Sequence, residues 1–121
     1  MTALARIATI LVGLLHLGFF YLEAVLWTTP RGREIFGTTM SFAEESAALA
    51  LNQGLYNGFI AAGLLWAALA GKRDLAFFFL VCVIIAGAVG AGSVSLTILF
   101  VQALPGIVAM ILATLSGPWR R

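Results

Sequence analysis

Long runs of apolar residues, separated by short polar stretches, extend along most of the chain. A bilayer core about 30 Å thick requires roughly 20 apolar residues per helix, because lipid cannot hydrogen-bond an exposed backbone. Four stretches meet this requirement, at approximately residues 3–28, 47–70, 75–92 and 96–115. We therefore predict a single all-α domain over residues 1–121, an integral membrane protein whose four transmembrane helices form an antiparallel bundle.

The segments between the predicted spans carry residues typical of turns. Pro30 and Gly32 are expected to stop the first helix and to open a loop over about residues 29–40. Residues 71–74 are expected to form a tight turn, and residues 90–93 to loosen the last link. Short links of this kind place successive helices antiparallel.

Two local motifs predict details of the second and fourth spans. Ser41 and Glu44 have the spacing of a capping box, so the second helix is expected to begin at Phe42. Pro105 is expected to kink the fourth helix and to free the backbone carbonyl of Val101.

Composition supports the membrane assignment and excludes several other classes of protein. Hydrophobic residues make up 62% of the chain and charged residues 10%, against roughly 45–50% and about 25% in soluble domains. A disordered tail and a nucleic-acid-binding protein both require more polar or basic surface than this. A single cysteine, Cys82, excludes an internal disulfide and a cysteine-based zinc cluster. We expect no metal, no cofactor and no nucleic-acid partner.

The distribution of basic residues predicts the orientation in the membrane. Lysine and arginine in short loops are retained on the cytoplasmic side. With both termini in the cytoplasm, Arg31 and Arg33 face the exterior. The cytoplasmic side then receives Arg6, Lys72, Arg73, Arg120 and Arg121. We therefore predict a multi-pass protein of the cytoplasmic (inner) membrane with both termini inside.

Polar side chains within the predicted spans are the candidate functional residues, because such groups are costly in a bilayer and usually face other helices or a cavity. Counted from the outer ends of the spans, they lie roughly 8–18 Å deep, in the outer half of the membrane. We predict that they share an interhelical polar pocket that opens toward the outer face. The candidates are His16, Glu23, Asn52, Gln53, Tyr56, Asn57 and Gln102.

The first span places several of its distinctive residues on one stripe. His16, Phe20, Glu23 and Trp27 follow the spacing i, i+4, i+7 and i+11 of a single helix face. His16 and Glu23 are separated by about 10 Å of helix rise, so a direct hydrogen bond between them is excluded. A side chain of the second span, a water molecule or a ligand would have to lie between them.

Glycines at helical spacing predict close packing between helices. Gly54 and Gly58 form a Gly-xxx-Gly motif, and Gly87 and Gly90 lie on the third span. Their alternative role is a dimer interface. A four-span chain of 121 residues is small for alternating access, so transport is expected to require a homodimer packed through small residues.

Two runs of residues resemble a known family. The run Leu15–Glu23 and above all the run Asn52–Gly58, of sequence Asn-Gln-Gly-Leu-Tyr-Asn-Gly, are similar to the small bacterial membrane-protein family catalogued as domain of unknown function 1304. Leu26-Trp27 and Phe36-Gly37 belong to the same resemblance. It implies a four-span membrane protein and supplies no substrate. The recurrent positions of the family fall on His16, Glu23, Asn52, Gln53, Tyr56 and Asn57.

The candidate residues are consistent with three functions. The first is a binding or transport module that holds a small polar or lipid-like ligand, or relays protons, with Glu23 as the titrating group and His16 at the pocket floor. The second is a membrane enzyme that acts on a lipid or quinone, with the same two residues as acid and base. The third is a structural accessory subunit whose amides only hold helices together. The residues favour binding over catalysis, because no nucleophile triad, phosphate loop or paired-carboxylate site can be assembled.

Overall fold

The computed structural model describes residues 1–117, and every regular element in that part of the chain is a helix. The predicted all-helical class is thus confirmed. Arg120 and Arg121, which contribute to the predicted orientation, lie outside the described residues. The helices are α1 (Ala3–Ala24), α2 (Pro30–Phe36), α3 (Met40–Ala70), α4 (Arg73–Ser93) and α5 (Leu104–Thr114), and a π-helical turn, Leu99–Ala103, leads directly into α5.

Two of these helices are long and apolar enough to cross a membrane. Among the described residues, α1 with 22 residues and α4 with 21 residues meet this criterion. The apolar helical segment Leu99–Thr114 is shorter. The longest helix, α3, has 31 residues and carries several polar side chains along its first half.

The predicted loop after the first span contains a short helix instead. Thr29 is the N-cap of α2, because its Oγ1 accepts a hydrogen bond from the backbone N–H of Gly32 at 3.1 Å. Pro30 occupies the first helical position, where its missing N–H costs nothing. Gly37, with φ of +64°, ends the helix in the left-handed region. The expectation that Pro30 and Gly32 open a loop was therefore wrong, since Thr-Pro starts a helix here.

The start of α3 also differs from the prediction. The helix begins at Met40, and the Oγ1 of Thr39 accepts a hydrogen bond from the N–H of Phe42 at 3.2 Å. Ser41 lies inside the first turn, where its hydroxyl donates to the Glu45 carboxylate at 2.9 Å. The capping box predicted for Ser41 and Glu44 was wrong, because a threonine two residues earlier supplies the cap.

The connection between α4 and α5 begins later than predicted. Helix α4 continues through Ser93, so the expected loosening at residues 90–93 was wrong and the turn follows at residues 94–96. The N–H of Leu104 donates to the carbonyl of Leu99, which closes a π turn in place of an α turn. Pro105 follows immediately, and its ring would clash with the carbonyl four residues earlier in a regular α-helix. The wider π turn removes that conflict at the position where a kink was expected.

The described residues form two compact units, one of residues 1–14 and 60–117 and the other of Leu15–Phe59. The first unit has a buried apolar cluster with contributions from α1, α3, α4 and α5. Burying such side chains stabilises the unit by roughly 25 cal/mol per Å² of apolar surface removed from solvent. The cluster consists of Val12, Leu64, Leu80, Val83 and Ala109.

Within the first unit, two arginines join helix beginnings to helix ends. Arg6, near the start of α1, donates to the carbonyls of Ala68 and Leu69 at the end of α3, each at 2.7 Å. Arg73, at the start of α4, donates to the carbonyls of Thr114 and Gly117 at the end of α5. The last carbonyls of a helix lack the N–H partners of the next turn, and a cationic donor at that end is favourable, so the arginines stabilise the ends of α3 and α5. In this unit α1 is therefore antiparallel to α3, and α4 is antiparallel to α5.

Glycines of α4 permit close packing in the same unit. A Cβ atom added at Gly87 would lie 2.7 Å from the backbone nitrogen of Ala103, inside the π turn. One added at Gly90 would lie 3.0 Å from a methyl group of Ile98. The two glycines thus lie against the segment that leads into α5, and at Gly87 the two backbones approach too closely for any side chain.

Candidate functional site

The candidate site lies in the second unit, where α1 and α3 contact each other through Glu23 and Asn57. The Asn57 side-chain amide donates to a carboxylate oxygen of Glu23, with Nδ2 and Oε2 3.0 Å apart. Both residues are half-buried. The contact brings together two of the seven predicted candidates, one from each helix.

The glycine face of α3 sets the distance between the two helices. A Cβ atom added at Gly54 would lie 3.0 Å from the backbone nitrogen of Ala24 and 3.1 Å from the Cβ of Glu23. One added at Gly58 would lie 3.4 Å from the ring of Phe20. Because the backbone of α1 lies directly on this face, the short side chain of Asn57 reaches the Glu23 carboxylate.

His16 is fully buried, with 0% of its surface exposed. Its ring packs edge-on against Phe19, with centroids 5.3 Å apart and planes inclined by 72°. His16 lies about 10 Å along α1 from Glu23, which is two helical turns. The structure therefore holds the imidazole in the interior, at a different level from the Glu23 carboxylate.

The remaining candidates differ in exposure. Asn52, Gln53 and Tyr56 have exposed side chains on α3, and the ring of Tyr56 packs edge-on against Phe59 at 5.8 Å between centroids. Gln102 is half-buried in the π turn of the other unit.

A tryptophan and a serine form a second polar contact between α3 and the chain just beyond α1. The indole Nε1 of Trp27 donates to the hydroxyl of Ser46 at 3.0 Å, and that hydroxyl donates to the carbonyl of Phe42 at 2.6 Å. The Trp27 ring also packs against Phe36 of α2, with centroids 4.9 Å apart. These contacts join α2 and the start of α3 to the chain just beyond α1.

Among residues 1–117, Glu23 is not part of an ion pair. Within residues 1–117, no lysine, arginine or histidine forms an ion pair with this carboxylate. Arg31 pairs with Glu34 at 3.0 Å, and both side chains are 71% exposed. In the same part of the chain, no group of three or more His, Cys, Asp or Glu side chains is placed to hold a metal ion.

Comparison with known proteins identifies the family. The sequence model of a family described as "Protein of unknown function (DUF1304)" matches residues 10–114, which include Glu23 and Asn57. The chain belongs to the DUF1304 family. No curated protein and no solved structure matches this DUF1304 protein.

Ser46 of the DUF1304 protein is not among the predicted site residues, although it contacts Trp27. Ser46 precedes Asn57 by eleven residues, which is three helical turns, so both lie on the same face of α3. The spacing was a possible signal for Ser46. It was not specific, because small residues such as serine are common where helices pack closely. Only the tertiary contact with Trp27 distinguishes it from the other serines.

The arrangement in the DUF1304 protein suits binding more than chemical transformation. Asn57 occupies one carboxylate oxygen of Glu23, and an ionised carboxylate has further acceptor positions for a hydrogen-bond donor. His16, the other candidate acid or base, is fully buried at a different level of α1. The two groups are thus too far apart to act on the same atom of a substrate.

Proposed function

We propose that this DUF1304 protein is a four-span protein of the cytoplasmic (inner) membrane that binds or transports a small polar or lipid-like ligand at the Glu23–Asn57 contact. The observation that carries the proposal is the half-buried carboxylate, held by an amide of a second helix beside the close backbone approach at Gly54. Ionisable side chains within membrane spans are rare and mark ligand or ion pathways by default.

Exposure of the apolar helices supports the membrane location. Only 28% of the apolar window in α1 and 22% of that in α4 is buried inside the chain. The core helix of a soluble protein would be mostly buried, whereas lipid covers the apolar surface of a membrane helix. Helix α3, with 31 residues, is roughly 46 Å long and exceeds the thickness of the hydrocarbon core.

The basic residues of the first unit support the orientation. Arg6, Lys72 and Arg73 lie at helix ends that the arginine contacts bring together. Lysine and arginine at one end of a set of spans favour the cytoplasmic side. Arg31 and Arg33 of α2 then lie on the opposite, outer side.

Native mass spectrometry of the gently extracted protein tests the binding function. The wild-type protein is expected to retain a small molecule that Glu23→Gln loses, because the substitution removes the charge and keeps the shape and the acceptor for Asn57. Glu44→Gln is the matched control, since Glu44 is an exposed carboxylate of α3, the helix that also carries Asn57.

The same spectra distinguish the alternatives. Identical spectra without bound molecules for wild type and Glu23→Gln, across a range of lipids and pH, would overturn the binding function and favour a structural subunit. They also report stoichiometry, and a dimer is the expected state of a transporter of this size.

A further inference from the structure

The charge at the candidate site determines which ligands fit it. Glu23 is half-buried on an apolar helix, and the side chain that hydrogen-bonds to its carboxylate, Asn57, is a neutral amide. An amide donates a hydrogen bond but does not balance a negative charge. Removing an unbalanced carboxylate from water is costly, and a cation beside it offsets that cost.

In the part of the chain that the structure describes, no cationic side chain pairs with Glu23. Within the described residues of the second unit, the basic side chains are Arg31 and Arg33 of α2, together with the buried His16. Arg31 is paired with Glu34, and neither arginine forms an ion pair with Glu23. A negatively charged ligand would meet a like charge here, and a neutral ligand would leave the carboxylate uncompensated.

An aromatic ring of α1 lies next to Glu23. Phe20 precedes Glu23 by three residues, about one helical turn, and its ring lies against Gly58. The predicted stripe was wrong at Trp27, because α1 ends at Ala24 and the indole of Trp27, in the chain beyond it, donates to Ser46. Aromatic faces attract cations and also provide apolar contact for the body of a ligand.

From the half-buried carboxylate, its neutral amide partner and the neighbouring ring of Phe20, we propose that the ligand is a small organic cation, an amine with an apolar body whose ammonium group pairs with Glu23. This inference rests on the proposed binding function and narrows it to one chemical class. The ammonium donates to the carboxylate positions that Asn57 leaves unoccupied, and the apolar body lies along the α1 stripe.

Three probes with one phenylalkyl skeleton test this class: 2-phenylethylamine, 2-phenylethanol and 3-phenylpropanoate. Equilibrium dialysis of the full chain in lipid nanodiscs at neutral pH measures binding, and empty nanodiscs correct for partition into lipid. The wild-type protein is expected to bind the amine at least about tenfold more tightly than the alcohol or the acid. Glu23→Gln is expected to abolish this preference, and Glu44→Gln to retain it.

Two outcomes of the dialysis would overturn the inference. Equal, Glu23-dependent binding of amine and alcohol would contradict the cation class while leaving the binding function intact. Absence of binding for all three probes would also contradict the cation class, and the native mass spectra would then decide the binding function separately. If Glu23→Gln does not fold, Glu23→Asp serves instead: it keeps the charge on a shorter side chain, so weaker amine binding with a retained preference over the alcohol is expected.

Discussion

Gly32 and Gly54 are required by the space around them, and each fixes a contact of the second unit. A Cβ atom at Gly32 would lie only 1.8 Å from the carbonyl oxygen of Leu26, so the start of α2 lies directly on the end of the preceding segment. At Gly54 the limiting atom is the backbone nitrogen of Ala24, at 3.0 Å. Neither neighbour is the flexible end of a side chain, so neither can move aside cheaply.

Replacing Gly32 is therefore expected to destabilise the protein. We expect Gly32→Ala to lower the free energy of unfolding by about 1–3 kcal/mol, because the new methyl group overlaps a backbone carbonyl. Denaturant unfolding in detergent, followed by far-ultraviolet circular dichroism, measures the change. Gly18→Ala is the control, since nothing lies within 4 Å of a Cβ atom there. Equal stability of the two variants would contradict the close approach at Gly32.

Removal of the Asn57 amide is expected to have a larger effect than removal of an exposed amide. Asn57→Ala deprives the half-buried Glu23 carboxylate of its hydrogen bond, which costs about 1–3 kcal/mol when a group is left unsatisfied. Asn52→Ala removes the same group from an exposed position of α3 and is expected to be nearly neutral. Thermal unfolding of both variants in the same detergent provides the comparison, and a neutral Asn57→Ala would show that the contact is energetically unimportant.

At the scale of helices, the length of the apolar runs predicted the apolar helices α1 and α4 better than the ends of the helices. The long apolar helices α1 and α4 were predictable because an uninterrupted run of about twenty apolar residues is typical of a helix that can span a membrane. The ends depend on which residue caps each helix. Thr29 caps a helix where a loop was predicted, and Thr39 caps α3 in place of the predicted Ser41. Gly90 did not end α4, which continues through Ser93.

Part of the candidate site was predictable from helical spacing, and part depends on how the helices pack. The stripe through His16 and Glu23 follows from helical spacing within α1 alone. The partner of Glu23 depends on the register of α3 against α1, and that register is set by the tertiary contact at Gly54. Asn57 was therefore predicted together with several other amides, and the sequence alone did not identify it as the partner of Glu23.

The arginine contacts at helix ends are expected to stabilise the first unit. Arg6→Met removes two hydrogen bonds of 2.7 Å from the last carbonyls of α3 and keeps a long apolar side chain, so a loss of about 1–2 kcal/mol is expected. Arg31→Met removes an exposed ion pair, which is expected to contribute under about 0.5 kcal/mol. Chemical denaturation of both variants measures the difference, and the reverse order of stability would refute the role given to Arg6.

The π turn before α5 is expected to depend on Gly87. A methyl group there would overlap the backbone of Ala103, so Gly87→Ala is expected to displace the turn. Hydrogen–deuterium exchange is expected to show faster exchange of the amides over Leu99–Ala103. Gly92→Ala is the matched control, because nothing lies within 4 Å of a Cβ atom at that position of α4. Unchanged protection in Gly87→Ala would show that the turn does not require the close approach.

At the scale of the whole molecule, the proposed four-span topology makes a prediction about sidedness. Single cysteines introduced at Thr38 and at Lys72, with Cys82 replaced by serine, are expected to react with a membrane-impermeant maleimide from opposite sides. Thr38 follows α2 on the proposed outer side, and Lys72 lies between α3 and α4 on the proposed cytoplasmic side. Labelling of intact cells against inverted membrane vesicles measures this, and labelling of both positions from one side would overturn the topology.

The backbone contact at Gly54 limits where the chain can gain or lose residues. An insertion at residues 37–39 alters only the connection between α2 and α3, and the helical phase of α3 remains as it is. An insertion between Gly54 and Asn57 rotates the asparagine by about 100° around the helix, away from the carboxylate. Deletions and insertions should accordingly be tolerated in the connection and eliminated within this one turn of α3.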